Sequence, residues 1–141
     1  MILFGRKRRI LSILVFPAIL FSTGLCSKGG SDKTGRCGTV VVVYDSGACE
    51  CIRERGETIL HQVDSLKIAD PLLDKYFVFQ QVDRAKDRKT ADAILDRCDS
   101  HFIPVVRIED PRGKTMHEFS FEFDTTLFMK ILEVSIARAS T

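Results

Sequence analysis

The chain has 141 residues, of which 45% are hydrophobic and 28% charged, a composition typical of one globular domain. Its formal net charge of +2 includes four basic residues at positions 6–9. Removing these four from the total leaves a formal charge of −2 for the rest of the chain. A slightly acidic body lacks the clustered basic face that nucleic-acid binding requires, so we expect no nucleic-acid partner.

The first 25 residues have the three parts of an export signal. The basic run at positions 6–9 is followed by an apolar run over residues 10–21, and small residues stand at Ser22 and Gly24. The apolar run is shorter than the roughly 20 residues that a membrane-spanning helix needs. The sequence therefore predicts export, with a retained membrane anchor as the alternative interpretation.

Cys26 follows the apolar run, at the place where bacterial lipoproteins carry their lipidated cysteine. The residue before it is Leu25, whereas lipoprotein signals usually have a small residue there, and cleavage after Gly24 is the second interpretation. Both predict a periplasmic or envelope-attached protein, and lipidation of Cys26 would add membrane attachment. Disulfides persist in such a compartment.

The first half of the chain predicts a linker, a strand and a helix. Residues 26–38 are polar and small, which is typical of a flexible linker, so the folded domain should cover residues 39–141. The run TVVVVY over residues 39–44 predicts a buried strand. Apolar residues at helical spacing predict a helix over residues 51–66, and we expect Asp45 or Ser46 to cap its start.

The second half predicts further strands and helices in alternation. We expect a strand over residues 76–82, a helix over 85–98, strands over 104–109 and 115–121 joined by a turn, and a helix over 128–136. The order β-α-β-α-β-β-α predicts an α/β fold with a four-stranded mixed sheet and helices on both faces. The first strands should be parallel, and the terminal hairpin should add an antiparallel edge.

The segment VVVVYDSGACECIR places Cys49 and Cys51 where the first strand passes into the first helix. The positive end of a helix dipole and its unpaired N–H groups favour a thiolate, which is the nucleophilic form of cysteine. A second cysteine close by can resolve a mixed disulfide by closing an intramolecular one. The sequence thus indicates a redox-active pair.

In three segments the chain resembles the thioredoxin superfamily, approximately from Thr39 to Ala137. These are VVVVYDSGACECIR, a second strand ending in Val82-Asp83, and HFIPVV over residues 101–106, which is similar to the family's cis-proline loop; EDPRGKT resembles its final hairpin. The resemblance implies a thioredoxin-like fold, with Cys49 as attacking thiolate and Cys51 as resolving thiol. It also implies a substrate platform at Ile103 and Pro104.

The same resemblance implies the partners: protein thiols and disulfides, or a redox partner protein. We expect a monomer that needs no cofactor. The chain departs from the family in having C-x-C where the family has C-x-x-C, and it has no tryptophan beside the first cysteine, where Ala48 stands. Because residues i and i+2 do not face each other on a regular helix, a Cys49–Cys51 disulfide would require a distorted turn.

The sequence is compatible with three interpretations of the pair. The first is a redox-active dithiol. The second is a soft-metal site for Cu(I) or a similar ion, formed by Cys49 and Cys51 with His61 or His101 as an added ligand. The third is a structural disulfide or inert thiols in a non-catalytic envelope protein of the same fold.

Other residues have accessory roles as hypotheses. Glu50, inside the pair, either raises the thiol pKa values by like-charge repulsion, acts in proton transfer, or is only a favourable acid in the first helical turn. Cys98 is either a buried small apolar residue or a third thiol that relays the disulfide. His101 either stabilises a thiolate or is solvated. Cys37, at the opposite end of the first strand, is expected to be an exposed or adventitiously paired thiol without a role.

Overall fold

The structure, a computed structural model, describes residues 35–120 and 122–140. The predicted export signal, Cys26 and most of the predicted linker lie outside these residues. Within the described part of the chain, no helix has both the length and the apolar character needed to cross a membrane.

The described elements include every strand and helix that the sequence predicts, with shifted ends. They are β1 (Gly38–Tyr44), α1 (Glu50–Ala69), α2 (Leu72–Tyr76), β2 (Phe77–Asp83), α3 (Arg88–Leu95), β3 (Val105–Glu109), β4 (Thr115–Phe119) and α4 (Thr125–Ala139). The short helix α2 was not predicted; it follows Pro71 and buries Leu73. The predicted helix over 85–98 is shorter in the structure. It begins at Arg88, because the Asp87 side chain accepts a hydrogen bond from the Thr90 N–H and caps the helix there, and it ends at Leu95.

The four strands form one mixed sheet in the order β2-β1-β3-β4. β1 and β2 are parallel and are connected through α1 and α2, while β3 and β4 form an antiparallel hairpin. The predicted α/β class, the four-stranded mixed sheet and the flanking helices are therefore confirmed.

The direction of β3 decides which loops meet. β1 and β2 end at the same edge of the sheet, since Tyr44 pairs with Asp83. β3 is antiparallel to β1 and begins at that edge, with Val105 opposite Val43. The connection over residues 84–104 thus leaves the sheet and re-enters it at the same edge. Its helix α3 has eight residues and extends only about 12 Å, and the loop after α3 leads back to the start of β3. Pro104 consequently lies beside the end of β1.

Both faces of the sheet are covered, and alternate residues of β1 point to opposite faces. On one face, Val40 and Val42 pack in the cluster that contains residues of α1 and α4. On the other, Val41 and Val43 pack in the cluster that contains residues of α3. Cys37, which the sequence places in the linker, is buried in the first cluster, and its N–H donates to the Tyr76 carbonyl at 2.6 Å. The expectation that Cys37 is exposed was wrong.

Gly38 lies so close to β3 that we expect Gly38→Ala to destabilise the fold. A Cβ at this position would overlap the backbone carbonyl oxygen of Glu109, which cannot move without disturbing the β1–β3 pairing. Overpacking of this kind lowers the free energy of unfolding by about 1–3 kcal/mol. Urea denaturation measures the effect, and Gly47→Ala is the control, since a Cβ there meets only side-chain atoms at 3.3 Å or more. Equal stability of Gly38→Ala and the wild type would contradict this packing.

Candidate active site

The two cysteines lie on either side of the boundary where α1 begins. Cys49 is the N-cap residue, with φ −59° and ψ 156°, and its carbonyl accepts hydrogen bonds from the N–H groups of Ile52 and Arg53, each at 3.0 Å. Cys51 lies in the first turn of the helix. The expectation that Asp45 or Ser46 caps α1 was wrong. The Ser46 hydroxyl donates to Asp83 at the end of β2, and the Asp45 carboxylate accepts from the Gly47 N–H in the preceding loop.

The non-helical backbone of Cys49 brings the two thiols together. Its Sγ lies 3.3 Å from the Sγ of Cys51, and both side chains are exposed. This separation is well beyond the S–S bond length of about 2.05 Å, so the pair is a dithiol. The objection that residues i and i+2 of a helix do not face each other does not apply, since Cys49 is not itself in the helix.

The surroundings make the two thiols chemically unequal. The hydrogen bond from Cys51, followed by the backbone N–H of Ile52, lowers the pKa of Cys49 below its ordinary value. The hydrogen bond to Cys49 and then the negative charge on Cys49 raise the pKa of Cys51. The thiolate is the reactive form of cysteine, and these opposite shifts make Cys49 the thiol of the pair that ionises more readily.

The loop that carries Cys49 is fixed to the end of β2 by Asp83. This carboxylate is buried and accepts hydrogen bonds from Ser46, through its N–H at 3.1 Å and its hydroxyl at 2.7 Å. It also accepts one from the Ala85 N–H at 3.1 Å and pairs with the Lys86 ammonium at 3.3 Å. Burial raises the pKa of Asp83, but the hydrogen bonds from Ser46 and Ala85 outweigh it, and the pKa lies below its ordinary value.

We expect Asp83→Asn to weaken the loop and to change how stability depends on pH. Since the folded-state pKa of Asp83 is depressed, its contribution is fully present above the unfolded-state value of about 3.9 and is lost as pH falls through the lower folded-state value. Losing these charge-assisted bonds should lower the free energy of unfolding by about 1.5–3 kcal/mol at pH 7. Urea denaturation from pH 7 to 2.5 should show a smaller acid loss in Asp83→Asn than in the wild type. Parallel curves would contradict the assignment.

The Ile103–Pro104 peptide bond is cis, and Pro104 directly precedes β3 at the edge where β1 ends. Pro104 is fully buried, and Ile103 packs against the cluster under α3. Phe102, by contrast, has 60% of its surface exposed. The loop thus has a buried base with an exposed aromatic side chain next to it.

Two polar side chains of the sheet hold the segment before Pro104 through three hydrogen bonds. In β3, the buried Arg107 donates from Nη1 to the carbonyl of Arg97 at 2.8 Å. In β4, the Glu118 carboxylate accepts from the N–H groups of Asp99 and Ser100 at 3.2 and 3.0 Å. Sequence reasoning did not identify Arg107 or Glu118. The only available signal was a charged residue inside the apolar run PVVRIE.

The structure places the three accessory candidates Glu50, His101 and Cys98 in different surroundings. Glu50 is the exposed acid of the first turn of α1, and His101 is exposed in the loop before Pro104. Neither is among the groups that shift the pKa of Cys49. Cys98 is buried, and its Sγ donates to the Ile94 carbonyl at 3.3 Å. Burial raises its pKa, so Cys98 is a core thiol in this structure.

Among residues 35–120 and 122–140, no group of three or more His, Cys, Asp or Glu side chains is arranged to hold a metal ion. A metal at Cys49 and Cys51 would therefore be held by the two sulfurs, without the added histidine that the sequence suggested. No protein-family model matches the sequence. No curated protein is significantly similar to it either. The chemistry of the pair is accordingly the basis for a functional assignment.

Proposed function

We propose that this protein is an exported thiol-disulfide oxidoreductase of thioredoxin-like architecture that acts through Cys49 and Cys51. The observation that carries the proposal is the exposed pair of thiols 3.3 Å apart at the start of α1, in which the pKa of Cys49 is lowered. A lowered pKa and solvent access are the two properties that distinguish a reactive cysteine from a structural one.

The architecture supports the same proposal. The four-stranded mixed sheet with helices on both faces is compatible with a thioredoxin-like topology. The cis Pro104 next to the end of β1 agrees with the resemblance of HFIPVV to that family's cis-proline loop. Both observations concern the placement of groups around the thiols, so they support the proposal independently of the thiol chemistry.

The reaction begins when the Cys49 thiolate attacks one sulfur of a substrate disulfide. The substrate S–S bond breaks, one substrate thiolate leaves, and Cys49 becomes joined to the other substrate sulfur. Cys51 then loses its proton and attacks the Cys49 sulfur, which releases the second substrate thiolate. The substrate disulfide has gained two electrons, the Cys49–Cys51 pair has become a disulfide, and the reverse sequence oxidises a substrate dithiol.

The surroundings assign a role to each step. The Cys51 thiol would stabilise the Cys49 thiolate before attack, and the 3.3 Å contact between the two sulfurs supports this role. Asp83 holds the loop through Ser46, which fixes where Cys49 stands. Ile103, Pro104 and the exposed Phe102 lie on the segment that enters the sheet beside the end of β1, where a substrate chain would pass.

The proposed location is outside the cytoplasm, either soluble in the periplasm or attached to the envelope through a lipidated Cys26. This part of the proposal depends on the sequence of residues 1–26. The proposed partners are protein thiols and disulfides, or a redox partner protein that resets the pair.

Reduction of insulin disulfides by dithiothreitol, followed by turbidity, tests the activity. We expect the purified protein to accelerate the reaction, and the Cys49→Ser/Cys51→Ser variant to match the uncatalysed rate. A wild-type protein with no acceleration, tested also in the reverse direction on a reduced substrate, would overturn the proposal.

A second candidate function is transport of a soft metal ion, favoured by one observation. Two exposed thiols with no third ligand among the described residues suit the two-coordinate binding that Cu(I) accepts from soft sulfur donors. Competition with a Cu(I) chelator tests this function. The carrier function would be favoured if the wild type binds one equivalent of Cu(I), Cys49→Ser/Cys51→Ser binds none, and the wild type does not accelerate insulin reduction.

A further inference from the structure

A groove runs between strand β4 and helix α4, away from the cysteine pair. It has a volume of about 540 Å³ and includes residues of the β3–β4 turn, of β4 and of α4. On α4, the lining positions are 127, 130, 131, 134, 135 and 138, which fall on one face of the helix. This face of α4 is therefore turned towards solvent along the length of the groove.

The groove has an apolar surface that is open to solvent. Met116, Leu127 and Val134 have 39%, 38% and 42% of their surfaces exposed. They are three of the seven large apolar side chains that are exposed in the described part of the chain. Apolar side chains grouped in a concave site are typical of a place where another chain binds.

The rim of the groove is positively charged. Lys114, Lys130 and Arg138 line it, and within the described residues none of the three forms an ion pair. The one acidic residue of the lining, Asp110, accepts hydrogen bonds from the N–H groups of Arg112 and Lys114 in its own turn. The groove is thus a positive patch on a body whose formal charge is slightly negative.

Strand β4 adds a third property. It is the last strand of the sheet that the structure describes, and it pairs only with β3 there. The outer edge of such a strand offers N–H and C=O groups to an added strand. Helix α4 has 15 residues and extends about 22 Å, which matches an extended segment of about six or seven residues.

We propose that this groove binds an extended, acidic segment of a partner protein, which adds to the edge of β4. Alternate side chains of the segment would be apolar, against Met116, Leu127 and Val134, and its acidic side chains would meet Lys114, Lys130 and Arg138. The charge excludes the chain's own N-terminal region as occupant, because residues 1–34 carry six basic residues and one acidic residue. The concave shape favours a peptide over a flat membrane surface.

The probe is a fluorescein-labelled ten-residue peptide in which Leu or Val alternates with Glu or Asp, and binding is followed by anisotropy. We expect saturable binding that weakens with added salt, and no binding of the peptide with Lys in place of each acid. Lys130→Glu/Arg138→Glu should weaken binding about tenfold or more, since like charges then face each other. The matched control is Arg55→Glu/Lys89→Glu, which makes the same change in charge at exposed positions outside the groove and should bind as the wild type does.

Strand addition has its own test. Two peptides are compared, one with N-methyl groups on the odd-numbered residues and one with them on the even-numbered residues. Only one edge of the peptide would pair with β4, and the N–H groups of alternate residues point to that edge. One of the two methylated peptides should therefore lose binding and the other should keep it. Three results would overturn the proposal. The groove variant and the control variant bind the peptide equally, both N-methylated peptides bind equally, or the protein binds anionic vesicles instead of the peptide. Insulin reduction by the groove variant should remain at the wild-type rate, which separates this proposal from that for Cys49 and Cys51.

Discussion

Cys49→Ser is expected to reduce disulfide exchange to the uncatalysed rate, whereas Cys51→Ser is expected to stop the reaction at its first product. The difference follows from the proposed mechanism, in which Cys49, whose pKa is lowered, attacks and Cys51, whose pKa is raised, resolves. Without Cys51, the mixed disulfide between Cys49 and the substrate should persist. Mass spectrometry under non-reducing conditions, after incubation with a disulfide substrate, measures the adduct.

The matched control is Cys98→Ala. It removes a buried thiol whose pKa is raised, so it should keep exchange activity even if stability falls. Two results would contradict the assignment of roles. One is full exchange activity in Cys49→Ser. The other is that the two single variants accumulate equal amounts of substrate adduct, each on its remaining cysteine of the pair.

Arg107→Met is expected to lower the free energy of unfolding by about 3–5 kcal/mol, the loss typical of breaking a buried ion pair. Arg107 and Glu109 are only 3% and 9% exposed, and Arg107 Nε lies 2.9 Å from Glu109 Oε1. Removing the guanidinium leaves the Glu109 carboxylate buried without its counter-charge, and it also removes the donor to the Arg97 carbonyl. Urea denaturation at pH 7 measures the change.

The double variant Arg107→Met/Glu109→Leu is the control for this loss. Replacing both members of a buried ion pair by apolar groups is often close to neutral, so most of the stability should return. The part that does not return reports the lost bond to Arg97. If Arg107→Met alone costs less than about 1 kcal/mol, as exposed ion pairs do, then Arg107 and Glu109 do not form the buried pair described above.

The order of elements could be predicted from the sequence because hydrophobic periodicity depends on local burial. The run TVVVVY, for example, packs on both faces, as a continuous apolar strand should. The direction of β3 was harder to predict from local sequence patterns. It depends on the short α3 and on the path of residues 96–104, and these are set by non-local contacts from Arg107 and Glu118.

The candidate site shows the same division. Cys49 and Cys51 could be located at a helix start from spacing and flanking residues alone. The sequence could not show that Cys49 is itself the N-cap, because Asp45 and Ser46, which are of the usual capping types, precede it closely. Ser46 instead bonds Asp83, which is 37 positions away in sequence, so only the folded chain shows that its hydroxyl is engaged. The buried state of Cys37 and Cys98 likewise depends on packing.

The most direct test of the proposed redox function is the dithiol–disulfide equilibrium of the Cys37→Ala/Cys98→Ala variant in glutathione redox buffers, followed by mass spectrometry. We expect one reversible two-electron transition, in which two hydrogen atoms are lost and a single disulfide forms between Cys49 and Cys51. The proposed function would be contradicted if the pair remained a dithiol across the whole range of buffers, or gave only glutathione adducts on separate cysteines.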